Sequence, residues 1–336
     1  MPIPISCLLL ERRISQMFNW TLRDLNKKAE DTNFQRDTLE KVARLGDLLD
    51  FMNTTPPLRN HLALKGGTAI HLTVFPMLRL SVDIDMDFHS NSTKDEMISV
   101  RNQITDLCKR YMHSQGYQLS ERSKYSFSLD SFVFQYTNLI GNPDNITLEI
   151  NYSNRCHLFD PIRLDSISPV LDPFPILTVS KIDLFGSKIA ALIDRTTPRD
   201  IYDVLQMIST NVFLQEELSL LKKSAIFYLS LSVDDLVLDI AFANAVKKME
   251  LMTFYEIKRT LIPVLKRGVL FDIDGASRIV TDFLRRLFTL DVNENEYLNQ
   301  FRLGHYMPTL LFDDELVVAR IANHPMAIWK TQNRNQ

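Results

Sequence analysis

The sequence predicts an N-terminal α/β lobe with a mixed sheet, followed by an α-helical lobe. Two segments, residues 81–88 and 146–151, alternate apolar and polar side chains, which is typical of strands with one buried face. Beyond residue 210 the apolar positions instead recur with helical spacing, which indicates a run of helices. The prolines within residues 161–175 interrupt both patterns, so we place the hinge between the lobes there.

Length and composition agree with two lobes but name no function. The chain has 336 residues, of which 45% are hydrophobic, so it is long enough to bury a large core in each of two domains. We therefore expect domains at residues 1–170 and 171–336. The net charge of −3 gives no global sign of nucleic-acid binding, so any such contact depends on a local patch.

Cysteine usage and hydropathy favour a reducing cytoplasm. Cys7, Cys108 and Cys156 are too few and too scattered for a disulfide framework or a C-x-x-C metal site. The opening MPIPISCLLLERR has only a short apolar run, which argues against a signal peptide or a membrane span. No later segment reaches about 18 consecutive apolar residues, so we expect no membrane partner.

The first elements in chain order are two helices over residues 15–50. The second has an apolar stripe that Pro56-Pro57 terminates, and a packing scaffold is its simplest role. A short apolar run then ends at Lys65, and Gly66-Gly67 leads into a further helix-like segment. Because glycine leaves the backbone uncovered, the N–H groups of this turn and the helix N-terminus can approach a phosphate.

The strand at residues 81–88 separates apolar from acidic side chains. Its apolar residues fall on one parity and Asp83, Asp85 and Asp87 on the other, so we expect three carboxylates together on one face. Like charges roughly 6 to 7 Å apart along a strand repel one another. A divalent metal ion is the usual way in which such repulsion is turned into binding.

A helix over residues 91–115 and a strand around residues 132–136 follow the acidic strand. A turn at residues 142–145 then leads into the strand at residues 146–151, whose apolar positions face inward. Glu149 lies on the polar face of this strand. A lone glutamate on a strand is more often solvated than a ligand, so Glu149 is of interest because the acidic strand precedes it.

A second group of charges lies on two helices over residues 179–203, each with a capping residue at its start. Lys188 and Arg195 are seven residues apart and share a face of the first helix. The second helix contributes Arg199, Asp200 and Asp203. For an arbitrary protein, a capped and solvated helix pair is the simplest interpretation of these charges.

The chain beyond residue 210 combines helical patterns with recurring basic pairs. We expect helices over residues 218–231, 233–251, 254–265 and 276–290. The basic pairs are Lys222-Lys223, Lys247-Lys248, Lys258-Arg259, Lys266-Arg267 and Arg285-Arg286. Each pair alone is most simply a solubilising surface, but together they form the candidate RNA-facing patch of a slightly acidic protein.

Two strings, KGGTA followed by RLSVDID and later KIAALIDRTTPRDIYD, resemble the AbiEii/AbiGii-type toxin family of nucleotidyltransferases, which includes the mycobacterial MenT toxins. The resemblance extends over roughly residues 15–330. It implies a nucleotidyltransferase fold with a nucleoside triphosphate (NTP) in the cleft between the two lobes. It also implies that Asp83 and Asp85 hold Mg²⁺, with Glu149 as the third metal ligand.

The same resemblance implies further site residues. Lys188 would neutralise the β- and γ-phosphates, and Asp200 and Asp203 would orient cations or the acceptor. The nucleotide-binding residues would be Lys65, Gly66, Gly67, Thr68, Arg79, Ser81, Arg195 and Arg199. The superfamily loop is commonly Gly-Ser, and Gly67 lacks that hydroxyl. We therefore expect backbone N–H groups, with Thr68 or Ser81, to contact the phosphates instead.

By resemblance, the protein is a toxin of a bacterial toxin–antitoxin or phage-abortive system. It would transfer NMP from CTP, UTP or GTP to the 3′ end of tRNA, and its partner would be a cognate antitoxin with a winged-helix domain. Two alternatives stay open: an enzyme that nucleotidylates protein, and a non-catalytic NTP-binding protein that sequesters a partner. The intact D-x-D motif argues against the second.

Overall fold

The computed structural model describes residues 19–90 and 92–333. Cys7, the opening apolar run and the start of the first expected helix lie outside these residues. The chain divides into two compact units. The first unit comprises Met1–Tyr152, Arg163–Leu177 and Val264–Arg267. The second unit comprises Ser153–Ile162, Thr178–Pro263 and Gly268–Gln336.

Among the described residues, the first unit contains five helices, two of which begin with a capping box. They are α1 (Leu22–Thr32), α2 (Arg36–Thr54), α3 (Leu58–His61), α4 (Gly66–Thr73) and α5 (Lys94–Ser114). At the starts of α1 and α5, the N-cap threonine and an acidic residue three positions later exchange hydrogen bonds with each other's backbone. Helix α2 is the expected scaffold helix, because its apolar stripe is buried.

A mixed sheet forms the centre of the first unit. Its strands are β1 (Leu62–Lys65), β2 (Asp83–Phe88), β3 (Gln118–Leu119), β4 (Lys124–Tyr125), β5 (Leu129–Thr137), β6 (Pro143–Asn151), β7 (Ile162–Asp165) and β8 (Pro175–Thr178). The strand order is β3-β5-β6-β2-β1-β8-β7, and β4 pairs with β5. Strand β2 runs parallel to β6 and antiparallel to β1, so the expected mixed sheet is confirmed.

The alternation read from the sequence decides which faces of β2 and β6 are buried. Ile84, Met86 and Phe88 are buried, as are Ile146, Leu148 and Ile150 of β6. Strand β2 begins at Asp83, two residues later than expected. Just before it, the Leu80 N–H donates to the Val264 carbonyl oxygen at 2.7 Å, so this segment pairs outside the sheet.

The second unit is helical. Its α-helices are α6 (Lys181–Arg195), α7 (Pro198–Ser209), α8 (Leu218–Ser232), α9 (Leu238–Glu250), α10 (Phe254–Thr260), α11 (Ile273–Leu287), α12 (Val292–Arg302), α13 (Glu315–Ile321) and α14 (Pro325–Asn333). Helix α10 ends five residues before the position expected from the sequence. Pro263 has no N–H to continue an α-helix, and a 3₁₀ turn at Ile262–Val264 follows instead.

Buried polar contacts fix the start of α6. The Asp183 carboxylate accepts hydrogen bonds from the Leu158 N–H at 3.0 Å and from the Tyr228 hydroxyl at 2.7 Å. The N-cap Ser180 hydroxyl also donates to this carboxylate. These contacts attach the first turn of α6 to neighbouring parts of the same unit. No helix among the described residues has the length and apolar character needed to cross a membrane.

Candidate functional site

The register of the sheet aligns a row of polar side chains across four strands. Lys65 lies opposite Asp85, Asp85 lies opposite Glu149, and Glu149 lies opposite Ser131. Directly paired residues point to the same face of a sheet, so these side chains are neighbours. Asp83 is two residues before Asp85 and therefore shares that face. The structure thus brings Asp83, Asp85 and Glu149 together on one half-buried surface.

The diglycine turn lies directly against this row. Gly66 has a φ of +68°, and a Cβ placed on it would lie 2.5 Å from Oδ2 of Asp85. A Cβ on Gly67 would lie 2.8 Å from Nη2 of Arg79 and 3.0 Å from Oγ of Ser81. Only glycines therefore let the backbone of this turn approach the carboxylate and the guanidinium so closely.

Two of the predicted phosphate-contacting residues have structural partners. The Thr68 hydroxyl is buried and donates to the backbone carbonyl oxygen of Asp83, which attaches the first turn of α4 to β2. The Arg79 side chain is almost fully buried, and its Nη1 donates to the Leu80 carbonyl oxygen at 2.8 Å. A buried guanidinium beside the diglycine turn keeps a permanent positive charge there. Ser81 is less buried than Thr68 and Arg79, since its side chain is half-buried.

Lys65 and Asp87 form an ion pair beside the row. The Lys65 ammonium lies 2.6 Å from Oδ1 of Asp87, and the Asp87 side chain is buried. Burial lowers the pKa of Lys65, but attraction to Asp87, and then to Asp85 and Glu149, outweighs burial and raises the pKa above its usual value. Asp87 therefore shares the face of Asp83 and Asp85, as the sequence predicts, but it is buried and already paired with Lys65.

Glu149 is held by a residue that the sequence analysis missed. The Ser131 hydroxyl donates to Oε1 of Glu149 at 3.0 Å. Ser131 lies on the polar parity of β5, but only the register of β5 against β6 shows that it faces Glu149. This hydrogen bond restricts the orientation of the Glu149 carboxylate.

The carboxylates fit a Mg²⁺ ion that is shared with a substrate. Mg²⁺ prefers oxygen ligands and usually takes one or two carboxylates together with substrate phosphates. Asp83 and Asp85 supply that pair, and Glu149 lies beside them. Among residues 19–90 and 92–333, no three His, Cys, Asp or Glu side chains are arranged as a complete metal site.

A buried charge cluster occupies the second unit. The Lys188 ammonium lies 3.2 Å from Oδ1 of Asp200 and 3.0 Å from Oδ2 of Asp203. All three side chains are less than a tenth exposed. The interpretation of these charges as a solvated helix pair is therefore wrong. Burying ions is costly unless they are paired, so their mutual contacts account for their presence here.

Arg195 and the start of α7 complete this cluster. Nε and Nη2 of Arg195 bond both oxygens of Asp200, at 2.8 and 2.9 Å, and the Thr197 hydroxyl donates to the same carboxylate. Burial raises the pKa of Asp200, but the hydrogen bonds from Arg195 and the attraction of Lys188 outweigh burial and lower the pKa to about 2. Asp200 is therefore an ionised carboxylate at neutral pH.

Arg199 has a different orientation from the other charged residues of this segment. Its Nε donates to the backbone carbonyl oxygen of Thr260 at 2.7 Å, which joins the start of α7 to the end of α10. The structure thus brings Lys188, Arg195, Asp200 and Asp203 together, whereas Arg199 reaches the end of α10. Their roles toward a nucleotide stay predictions.

The basic pairs predicted to face RNA are not equivalent. Lys222 is mostly buried and pairs with Glu294 at 2.8 Å, and Lys223 pairs with Asp313 at 3.0 Å. Lys266-Arg267 belongs to the first unit. In the second unit, the exposed pairs near α10 are Lys247-Lys248 and Lys258-Arg259. A single continuous patch made of all five pairs is therefore not present in either unit among the described residues.

Comparisons with known proteins agree with this architecture. The family model described as "Nucleotidyl transferase AbiEii toxin, Type IV TA system" matches residues 48–247, which is more than half of the chain and includes every predicted site residue. The nucleotidyltransferase toxin MenT4 from Mycobacterium tuberculosis has a similar fold, with a TM-score of 0.59 at 15% identity. That similarity covers 92% of this chain and 99% of the MenT4 chain. The curated proteins give no significant match.

Proposed function

The chain belongs to the AbiEii family of nucleotidyltransferase toxins of type IV toxin–antitoxin systems, and from this premise we propose its substrates and the roles of its residues. It is a nucleotidyltransferase. We propose that it transfers NMP from an NTP to the 3′ hydroxyl of tRNA and so inhibits translation. The observation that supports this most is the row of Asp83, Asp85 and Glu149 directly beside the Gly66-Gly67 turn.

In this proposal, Asp83 and Asp85 hold Mg²⁺, and Glu149 contributes from the neighbouring strand. A metal ion bound there would neutralise triphosphate charge and help to ionise the attacking hydroxyl. Two hydrogen bonds within the protein hold the site residues in position. Thr68 attaches α4 to β2, and Ser131 orients Glu149.

The diglycine turn is the proposed phosphate-binding element. Its N–H groups and the N-terminus of α4 offer donors and a partial positive charge to phosphate oxygens. Arg79 adds a fixed positive charge behind the turn. The acceptor oxygen attacks the α-phosphorus, the bond from that phosphorus to the bridging oxygen breaks, and pyrophosphate leaves.

Lys188 is proposed to neutralise charge on the departing phosphates. What supports this role is the way that Asp200 and Asp203 hold its ammonium in one position. A positively charged group that is already oriented needs no rearrangement when charge develops in the transition state. The same contacts would be expected of a purely structural ion pair, so the test must separate the two roles.

Transfer with labelled nucleotides tests the donor and the acceptor together. The protein would be incubated with Mg²⁺, each α-labelled NTP in turn, and either total tRNA or cell protein. We expect label on tRNA with CTP, UTP or GTP, and none with the Asp83→Asn variant. Label on protein with tRNA unlabelled would overturn the RNA proposal and favour protein nucleotidylation.

Growth assays test the toxin activity and its neutralisation by an antitoxin. We propose that the protein acts in the cytoplasm, in antiviral defence, and that an antitoxin with a winged-helix domain is encoded beside it. Expression of the wild-type protein alone should stop growth, and expression of the antitoxin should restore it. If Asp83→Asn is equally toxic when soluble, sequestration of a partner replaces catalysis as the cause.

A further inference from the structure

Two adjacent aromatic side chains stand open to solvent at the start of α10. Phe254 and Tyr255 are 70% and 68% exposed. Burying a large aromatic side chain releases more hydrophobic free energy than burying a small one. Two neighbouring aromatic side chains left in solvent therefore indicate a surface that binds a ligand or a partner. Leu251, which is also exposed, lies in the preceding turn.

Positive charges accompany these rings at helical spacing. Lys258 and Arg259 follow Phe254 and Tyr255 by four residues each, so each ring shares a helix face with a cation. All four of these side chains are exposed. The surface thus repeats one unit, an aromatic ring followed by a cation.

The neighbouring charges leave this surface net positive. Lys247 and Lys248 in the last turn of α9 add two further cations. The acidic residues nearby are Glu250, which is exposed, and Glu256. Glu256 is occupied as a capping residue, because its carboxylate accepts from the N–H of Thr253 at 2.8 Å and from the hydroxyl of Thr253 at 2.7 Å.

The short helix that carries the rings is anchored at both ends. The Thr253–Glu256 capping box fixes its start, and Ile257 is buried in the unit. Its last residue, Thr260, accepts the hydrogen bond from Arg199 of α7. Helix α7 also carries Asp200 and Asp203 of the buried cluster. Phe254 is therefore six residues, or about 9 Å of helix rise, before the residue that contacts α7.

We propose that Phe254 and Tyr255 form a stacking platform for unpaired bases of the RNA acceptor, with Lys258, Arg259 and Lys247 contacting its phosphates. The proposal rests on the proposed function, since it assigns a surface to the same acceptor. Exposed rings interleaved with cations match the chemistry of single-stranded RNA, in which base and phosphate alternate. A duplex offers its bases already stacked, so it would gain little from these rings.

Direct binding tests this surface without relying on catalysis. The probe is a fluorescein-labelled single-stranded RNA of about ten nucleotides, measured by anisotropy beside the same RNA in a duplex. We expect Phe254→Ala/Tyr255→Ala to bind the single strand roughly tenfold more weakly or worse, and the duplex unchanged. The variant Phe254→Trp/Tyr255→Trp, which keeps an aromatic ring at both positions, should bind the single strand as tightly as the wild type does. Lys258→Ala/Arg259→Ala should weaken binding to both RNAs and lower the salt slope by about two.

Phe127→Ala is the matched control. Phe127 is 65% exposed and has a lysine ammonium 5.3 Å from its ring, but it lies in the first unit. We expect it to bind both RNAs as the wild type does. If Phe127→Ala weakens binding as much as the double variant, general loss of exposed aromatic surface explains the effect and the platform is overturned.

The remaining outcomes separate this proposal from the proposed function. Asp83→Asn should bind the RNA normally while losing transfer, which supports both. If Phe254→Ala/Tyr255→Ala binds single-stranded RNA within about twofold of wild type, the platform is wrong although RNA transfer stands. If that variant instead escapes inhibition by the antitoxin, the surface docks protein. If the wild type binds neither RNA, the platform is overturned, and the labelled-nucleotide assay decides whether the proposed function stands.

Discussion

Gly66 and Asp85 approach so closely that a Cβ on Gly66 would lie 2.5 Å from the Asp85 carboxylate oxygen. The glycine is the first residue of α4, directly after β1, and the aspartate belongs to β2. Since β1 and β2 are paired neighbours, the start of α4 is held beside the acidic strand. A phosphate bound by the turn would therefore lie beside the carboxylates without any rearrangement.

Gly66→Ala should remove nucleotide transfer because it combines a strained φ with a clash against Asp85. Gly116→Ala is the matched control: Gly116 has a φ of +81°, but nothing lies within 4 Å of the position of its Cβ. Both variants should lose about 1 to 2 kcal/mol of stability from backbone strain. Transfer assays and thermal denaturation check this, and equal activity in the two variants would contradict a close-approach role for Gly66.

Asp83→Asn should lower transfer by at least about 100-fold and leave the melting temperature unchanged. The amide keeps the shape of the side chain but removes the charge that would attract Mg²⁺. Asp106→Asn, at an exposed ion pair on α5, serves as the control and should retain full activity. An active Asp83→Asn enzyme would show that the row is not the metal site.

Asp87→Asn should lower the stability of the protein and not only its transfer activity. Asp87 is buried and pairs with Lys65, so its replacement leaves the lysine beside a neutral partner, at a cost of about 2 to 3 kcal/mol. Lys65→Met combined with Asp87→Asn should recover part of that loss. Chemical denaturation of the two single variants and the double variant measures the coupling, and strictly additive losses would argue against the ion pair.

Lys188→Ala should lower both transfer and stability, because it leaves Asp200 and Asp203 buried without its charge. The stability loss should be about 3 to 5 kcal/mol. Lys188→Ala combined with Asp203→Asn removes one of the two carboxylates and should regain part of the stability. If transfer stays low in that double variant while Asp203→Asn alone retains transfer, Lys188 acts on the phosphates. If transfer recovers together with stability, its role is structural.

Asp200 should make stability depend on pH in acid. The folded-state pKa of Asp200, about 2, lies below its ordinary value of 3.8, so its contribution is fully present above about pH 4 and is lost as the pH falls toward 2. The difference in stability between wild type and Asp200→Asn should be about 2 kcal/mol near neutral pH. Urea denaturation at several pH values measures that difference, and a difference that does not shrink in acid would contradict this prediction.

Local patterns in the sequence predict the elements of the site well, for reasons that are visible in particular residues. The alternation around Asp83 and Asp85 decides which face of β2 is buried, and it agrees with the structure at Ile84 and Met86. The helix start at Thr197 follows from its capping residue and the proline after it. The same patterns overestimate the length of α10, because the apolar spacing continues through Pro263, where an α-helix does not.

The sequence by itself determined the order of the elements, the acidic face of β2, the diglycine turn and the family, because each depends on residues close together in the chain. Only the tertiary structure decided that Asp87 is neutralised by Lys65, that Glu149 lies opposite Asp85, and that the Lys188 cluster is buried. These facts depend on strand register and helix packing, which join residues far apart in sequence. Ion pairing and burial follow from distances in space, and local periodicity carries no information about those distances.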